Sequence, residues 1–343
     1  MDAQAEALSK YSSRLLQWPN VIGVGRGMKV TGRRRTDREA IVVLVTEKMP
    51  QEELPAYDVI PQQLGESVLT DVVEVGFVRV LPLLQDEIPL RHGRQRPAPG
   101  GVSVGHPEVT AGTLGMVVRD AKTKDPLILS NSHVLANTTS GTDGRAAVND
   151  PVLQPGPYDG GVESDDVIGR LKRFIPILPG TYNATCPRAR GFQSGLNFLL
   201  HAFFPDYSVR FQRMSNADNL VDAAVAQPLD PEMVSFDIIG LGSVRGTRDP
   251  EVGLRVTKSG RSSGVNRGEI TVIDASIKVH MGDVGEVLFR EQILTQPMAS
   301  PGDSGSVLLD DDRRAVGLLS AGSQKISVAS RMDNVFRLLA ITI

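Results

Sequence analysis

The sequence predicts a mainly β fold: two six-stranded antiparallel β-barrels preceded by a small α+β domain. Three observations predict it. From residue 101 onward short apolar runs recur, separated by Gly, Pro, Asn and Asp. The 34 glycines and 22 prolines, with only 5% aromatic residues, suit many strands and tight turns better than a helical bundle. The runs fall into two groups of about six, split near Gly246–Gly253. A length of 343 residues fits about two domains.

The N-terminal domain covers residues 1–82. Ala5, Leu8, Tyr11 and Leu15 recur at helical spacing, and Pro19 stops the helix. Strand-like runs follow at 21–24, 40–45 and 68–80, with short helical or loop pieces at 48–54 and 60–64. Gly23-Val-Gly25-Arg-Gly27 lacks the G-x-G-x-x-G spacing and reads as strand-end geometry. Residues 83–100 form a Pro/Arg-rich linker, whose cluster Arg91, His92, Arg94 and Arg96 reads as solvated. The first strand group runs through 114–118, 126–130, 152–153, 167–171, 223–226 and 238–244. The second runs through 254–256, 269–273, 276–279, 287–288, 307–309, 315–319 and 326–329, closed by a helix over 333–340. Residues 174–216, with the apolar, aromatic-rich piece Leu196–Phe204, form an insertion between strands of the first barrel.

A net charge of −3 gives no basic excess for nucleic acid, and no run approaches the ~20 apolar residues of a membrane span. The single cysteine, Cys186, excludes an intrachain disulfide and points to a reducing, cytoplasmic compartment. No secretory signal, metal-ligand cluster, phosphate loop or cofactor fingerprint is present, so neither a metal nor a cofactor is expected.

Three local patterns carry chemistry. His133 ends the apolar run Leu127-Ile-Leu-Ser-Asn-Ser-His. Asp222 interrupts Asn219-Leu-Val-Asp-Ala-Ala-Val-Ala, a stretch apolar enough to be buried, where an unpaired carboxylate is costly. Ser304 sits in Ser300-Pro-Gly-Asp-Ser-Gly-Ser-Val, a glycine-flanked turn before a strand. Acyl transfer needs these types: a hydroxyl nucleophile, an imidazole to take its proton, a buried acid to fix the imidazole, and exposed backbone N–H donors. The chain order His, Asp, Ser is that of chymotrypsin-like enzymes. The α/β-hydrolase order fails because no histidine follows Ser304. A subtilisin order would need Asp120 or Asp125, both in a polar turn. Asp218 is the rival acid, in a less apolar setting than Asp222.

On these residues the chain resembles the trypsin-like serine proteases. Gly302-Asp-Ser-Gly305 matches their nucleophile motif, Ser132-His133 stands in the place of their Ala-His, and Val221-Asp-Ala-Ala-Val225 resembles their acid-bearing strand. Across its length it is similar to the narrow-leaf-type trypsin-like proteins of plants and their bacterial relatives, through Asp71-Val-Val-Glu-Val-Gly76 and Ser130-Asn-Ser-His-Val-Leu-Ala136. The resemblance implies a chymotrypsin-like fold over residues 101–343. It implies Ser304 as nucleophile, His133 as base, Asp222 as orienting acid, and the Gly302 and Ser304 N–H groups as oxyanion hole. It further implies a substrate pocket based at Met298 and walled by Ser320, Ala321 and Gly322, with Ser320 also bonded to Asp222. With no acid at the base, a small or medium apolar residue is expected before the scissile bond. The chain departs from the family at Ser306, where many relatives have glycine, and lacks a zymogen-type N-terminus before the protease part. Asp303, if buried, then needs another cation; the stretch Thr257-Lys258-Ser-Gly-Arg261-Ser-Ser-Gly264 resembles one that supplies it in bacterial trypsin-like proteases, which implies Lys258, with Arg261 the alternative.

The expected activity is a serine endopeptidase acting on polypeptides. The alternatives are a binding or scaffold protein on the same fold and a non-peptide acyl hydrolase. The N-terminal domain reads as an assembly module ahead of an autoinhibitory segment. It or the 174–216 insertion would be the contact of a homo-oligomer.

Overall fold

The computed structural model describes residues 3–18, 20–32, 34–55, 59–65, 68–80, 89–183, 186–204, 206–214 and 218–343. The helix stop at Pro19, the domain end at 81–82 and the first part of the linker lie outside these residues.

Helix α1 (Ala3–Leu15) packs on strands β1 (Val21–Thr31) and β2 (Arg34–Val45), which pair antiparallel. Strand β3 (Val68–Glu74) runs parallel to β2. Residues 40–45 are buried without a break because β2 is covered on both faces. Ile41, Val43 and Val45 pack toward α1 with Ala7 and Leu15, whereas Val42 and Leu44 join a second cluster with Val272, Ile277 and Phe289.

The basic cluster of the linker is docked at Arg91, while Arg94 stays exposed. Arg91 lies in α2 (Pro89–His92) and is buried, donating to the Gly101 carbonyl at 3.0 Å and to Ser259 Oγ at 2.8 Å. Protein oxygens have replaced the water that a charged linker would hold. The following β4 (Ala98–Gly100) is a strand, paired parallel with a later one.

The first group comprises β5 (Met116–Asp120), β6 (Pro126–Ser130), the one-turn helix α3 (Ser132–Leu135), β7 (Pro151–Leu153), β8 (Val167–Phe174) and β9 (Ala224–Pro228). Between β8 and β9 stands the helix α4 (Pro187–Phe203), flanked by the short strands Thr181–Asn183 and Gln212–Met214, which pair with each other. Phe192, Phe198 and Phe203 of α4 are exposed. Strand β10 (Val234–Ile238) is the partner of β4 and was not among the expected runs. The run expected at 238–244 is instead the end of β10 and the two-residue strand Gly242–Ser243.

The second group is β11 (Arg255–Gly260), β12 (Gly264–His280), β13 (Glu286–Thr295), β14 (Val307–Leu309), β15 (Ala315–Gly322) and β16 (Ser327–Arg331), followed by α5 (Met332–Leu339) and β17 (Ile341–Thr342). It closes as a six-stranded ring in the order β11, β14, β15, β16, β13, β12, with β12 returning to β11. The runs expected at 269–273 and 276–279 are one 17-residue strand. A register shift between Val272 and Ala275, with Asp274 at φ +51°, breaks the alternation that made them look separate. The first group forms a six-stranded sheet, β7-β8-β9-β6-β5-β17, so the end of the chain returns to the first sheet.

Strand β12 also pairs with β1, which joins the N-terminal sheet to the ring. Gly23, Gly25 and Gly27 therefore lie inside β1, not at a strand end. A Cβ on Gly25 would stand 2.5 Å from Val272 Cγ1, so this face of β1 must be bare for the two sheets to meet.

Candidate active site

Strand register brings His133 and Asp222 together. In the antiparallel pair β6–β9, Ala224 faces Ser130. Asp222, just before β9, thus lies beside the first turn of α3, just after β6. The His133 N–H donates to Asp222 Oδ1 at 3.1 Å, and His133 Nδ1 bonds Asp222 Oδ2. A carboxylate partner fixes the proton on Nδ1 and leaves Nε2 as an acceptor. The Asp222 side chain has no solvent exposure. Its backbone is also held, the N–H by Ser330 Oγ at 3.2 Å and the carbonyl by Asn131 Nδ2 at 2.7 Å. Ser320 Oγ donates instead to the Val328 carbonyl, 3.4 Å away, and not to Asp222, whose only hydrogen bond to a serine among the described residues is that of its backbone N–H to Ser330 Oγ. The rival Asp218 is paired with Arg290 and half exposed. Asp120 is engaged by Arg173 and Asp125 by Thr123.

Ser304 lines a small cleft of about 40 Å³ with His133, Val134, Gly302, Ala111 and Val80. Its Oγ donates to the Ser320 carbonyl at 3.2 Å. Among the described residues Ser304 Oγ makes no hydrogen bond to His133, and no acceptor takes the N–H of Gly302 or Ser304. Two free donors thus stand at the Gly302–Gly305 turn.

The turn is fixed from two sides. Asp303 is fully buried and accepts from the Ser262, Ser263 and Ser300 N–H groups at 3.0, 3.0 and 2.9 Å, from Ser263 Oγ at 2.6 Å, and from Lys258 Nζ at 2.5 Å. Lys258 is equally buried. Burial pushes its ammonium below the usual lysine range, and the Asp303 carboxylate opposes that shift. Arg261 is paired with Asp159 instead. On the other side Thr113 donates from its N–H to the Ser304 carbonyl at 2.7 Å and from Oγ1 to the Gly302 carbonyl at 2.8 Å. Gly305, at φ +96°, closes the turn, where a Cβ would strike Ser130 Oγ and the Thr113 carbonyl.

Sequence reasoning missed Thr113 and Arg91. The available signal for Thr113 was its setting, Gly112-Thr-Leu-Gly115, where two glycines mark a close backbone approach. The structure does not bring the expected pocket base to this cleft. Met298 is buried in the core of the ring with Val256, Ile270, Ile293 and Leu308, and none of the cleft-lining residues belongs to that cluster. Ala321 is likewise a core residue, and Gly322 is paired with Arg79.

No family model matches the chain. Over 75 residues it is 43% identical to streptogrisin-D of Streptomyces griseus, a match spanning 22% of this chain and 18% of that protein. Among solved structures it is similar to Thermobifida fusca protease A, with a TM-score of 0.45 and 14% identity over 71% of this chain and 96% of the other. Nocardiopsis protease gives a TM-score of 0.44 and 14% identity, over 71% and 97%. With its Gly-Asp-Ser-Gly turn, its closed six-stranded ring and this segment of shared sequence, the chain resembles the trypsin-like serine proteases of chymotrypsin fold.

Proposed function

We propose that the chain is a serine endopeptidase that cleaves polypeptides through an acyl-enzyme. The observation that carries this reading is His133, bonded to a buried Asp222 and lining the same cleft as Ser304. In the first half-reaction Ser304 Oγ bonds to the acyl carbon while its proton passes to His133 Nε2. The carbon–nitrogen bond then breaks, and the proton leaves on the departing amine. Water repeats the sequence in reverse and frees the acid. The unpaired N–H groups of Gly302 and Ser304 supply donors for the oxyanion.

A fluorophosphonate probe tests the reading. It should label the wild-type protein on Ser304 and leave Ser304→Ala unlabelled, and a proteome digest should yield new peptide termini with the wild type only. Absence of labelling in the wild type and also in variants that open the cleft would end the proposal. One observation favours a second reading, a peptide-binding protein on a protease fold: Ser304 Oγ donates to the Ser320 carbonyl and not to His133. Hydrogen bonds of this kind tighten when substrate enters, so we place the endopeptidase first. A non-peptide acyl hydrolase would label equally but release no peptide termini.

A further inference from the structure

The edge of β15 beside the nucleophile is already paired with this chain's own N-terminal segment. After β3 the backbone turns at Gly76, whose φ is +69°, and continues through residues 77–80 to the cleft, with a β-bridge at Arg79. The Arg79 N–H donates to the Gly322 carbonyl at 3.2 Å, and the Gly322 N–H donates back to the Arg79 carbonyl at 3.0 Å, an antiparallel exchange. On its other side the segment is held by β12. The Val80 N–H donates to the His280 carbonyl at 3.2 Å, and the His280 N–H donates to the Val78 carbonyl at 3.1 Å. Val78 is buried beside these strands, and the Phe77 ring lies 5.6 Å from the His280 ring. The segment thus runs as a short strand between β12 and β15.

Its position relative to the chemistry is what matters. Gly322 lies two residues beyond Ser320, whose carbonyl accepts from Ser304 Oγ. The next residue of the segment, Val80, lines the same cleft as His133, Gly302 and Ser304. A polypeptide substrate presented to Ser304 needs an extended backbone, and an exposed sheet edge is the general device that holds one. At Gly322 both backbone groups are engaged by Arg79, and the adjoining cleft is partly filled by Val80.

We propose that residues Phe77–Val80 occupy the place of a substrate strand, so that the resting protein is self-blocked and is activated by displacement of this segment. This regulation rests on the endopeptidase reading above. It accounts for an otherwise unexplained arrangement, in which a segment of the N-terminal domain contributes a side chain to the candidate active site. The hold is local: backbone bonds, one buried valine and a ring contact, with Arg79 itself exposed.

The test uses the full chain in three forms: wild type, Arg79→Pro, which lacks the N–H donated to Gly322, and Val80→Gly, which empties the cleft. The readouts are the rate of Ser304 labelling by a fluorophosphonate and kcat/KM on a chromogenic peptide. Both should rise at least tenfold in each variant, chiefly through KM for the peptide. The amidated hexapeptide Val-Gly-Phe-Val-Arg-Val, copied from residues 75–80, should then inhibit Arg79→Pro competitively. Variants that stay folded yet label and turn over no faster than an active wild type would overturn the proposal and leave the endopeptidase standing. Absence of labelling in all three forms would overturn both. Should the variants unfold, hydrogen exchange in the wild type decides. The Gly322 amide is expected to be protected like its strand neighbours, and exchange at the rate of an open loop would refute the pairing.

Discussion

Lys258 and Asp303 face each other with no exposure to water, and neither touches the cleft. Their value is positional, since Asp303 immediately precedes Ser304. Replacing Lys258 by Met should leave a buried carboxylate without its cation, at a cost of about 3–5 kcal/mol in urea unfolding. It should also slow fluorophosphonate labelling of Ser304, because the turn loses its anchor. Lys258→Arg keeps the charge but not the point geometry, so partial recovery is expected. Thr113 acts on the same turn from the opposite side. Thr113→Val removes the bond to the Gly302 carbonyl while preserving shape, and should cost about 1–2 kcal/mol in stability. Its labelling rate should fall by about tenfold with little change in KM, and Thr113→Ser should restore it. A merely structural threonine would lower stability without moving that rate. Lys258 was legible in the sequence because its segment, Thr257–Gly264, resembles a cation-supplying stretch of bacterial trypsin-like proteases. Thr113 was not, because its role is made by backbone atoms of a loop 189 residues away.

Strands were legible where one run is one strand. Residues 126–130 and 307–309 carry apolar side chains bounded by turn residues, and the structure gives those bounds. They were misread where a bulge breaks the period, as at Asp274, or where apolar residues alternate singly with polar ones and form no run, as in Val234-Ser-Phe-Asp-Ile. The turn joining β5 to β6 shows what a polar connection contributes. Asp120 accepts from the Thr123 and Lys122 N–H groups at 3.1 and 2.9 Å and from Arg173 at 2.7 Å, and Arg173 also reaches the Leu339 carbonyl at the end of α5. The Thr123 N–H, then Arg173, then the Lys122 N–H hold this carboxyl well below the usual carboxylate range. A folded pKa below the unfolded one gives stability that is present above about pH 4 and lost as pH falls through the folded value. Asp120→Asn should therefore lower stability by about 1–2 kcal/mol at pH 7, and the gap to wild type should narrow below pH 4. A gap independent of pH, followed by chemical denaturation across that range, would show that the charge is not what joins these elements.

At the scale of the molecule the decisive element is β12, which belongs to the ring and also pairs with β1. The sequence shows two regions with different texture and nothing of the hydrogen bonds between them. The bare face of Gly23, Gly25 and Gly27 was the one trace of this junction. The N-terminal sheet and the ring share a core, since Val42 and Leu44 of β2 pack with Val272, Ile277 and Phe289. Units joined by a common sheet and a common apolar layer should unfold together. The only tryptophan, Trp18, packs at the α1 side and reports the N-terminal unit, while Ser304 labelling reports the cleft. In thermal unfolding both signals should share one midpoint. Gly25→Val would force a side chain into Val272 and Ala275, an overpacking that costs about 1–3 kcal/mol. It should move both midpoints down by the same few degrees. If Trp18 instead loses its structure first while labelling of Ser304 accelerates, the junction is the hinge through which the cleft is released. Cooperative loss of both would mean that the blocking segment is displaced locally, without undoing the sheet that carries it.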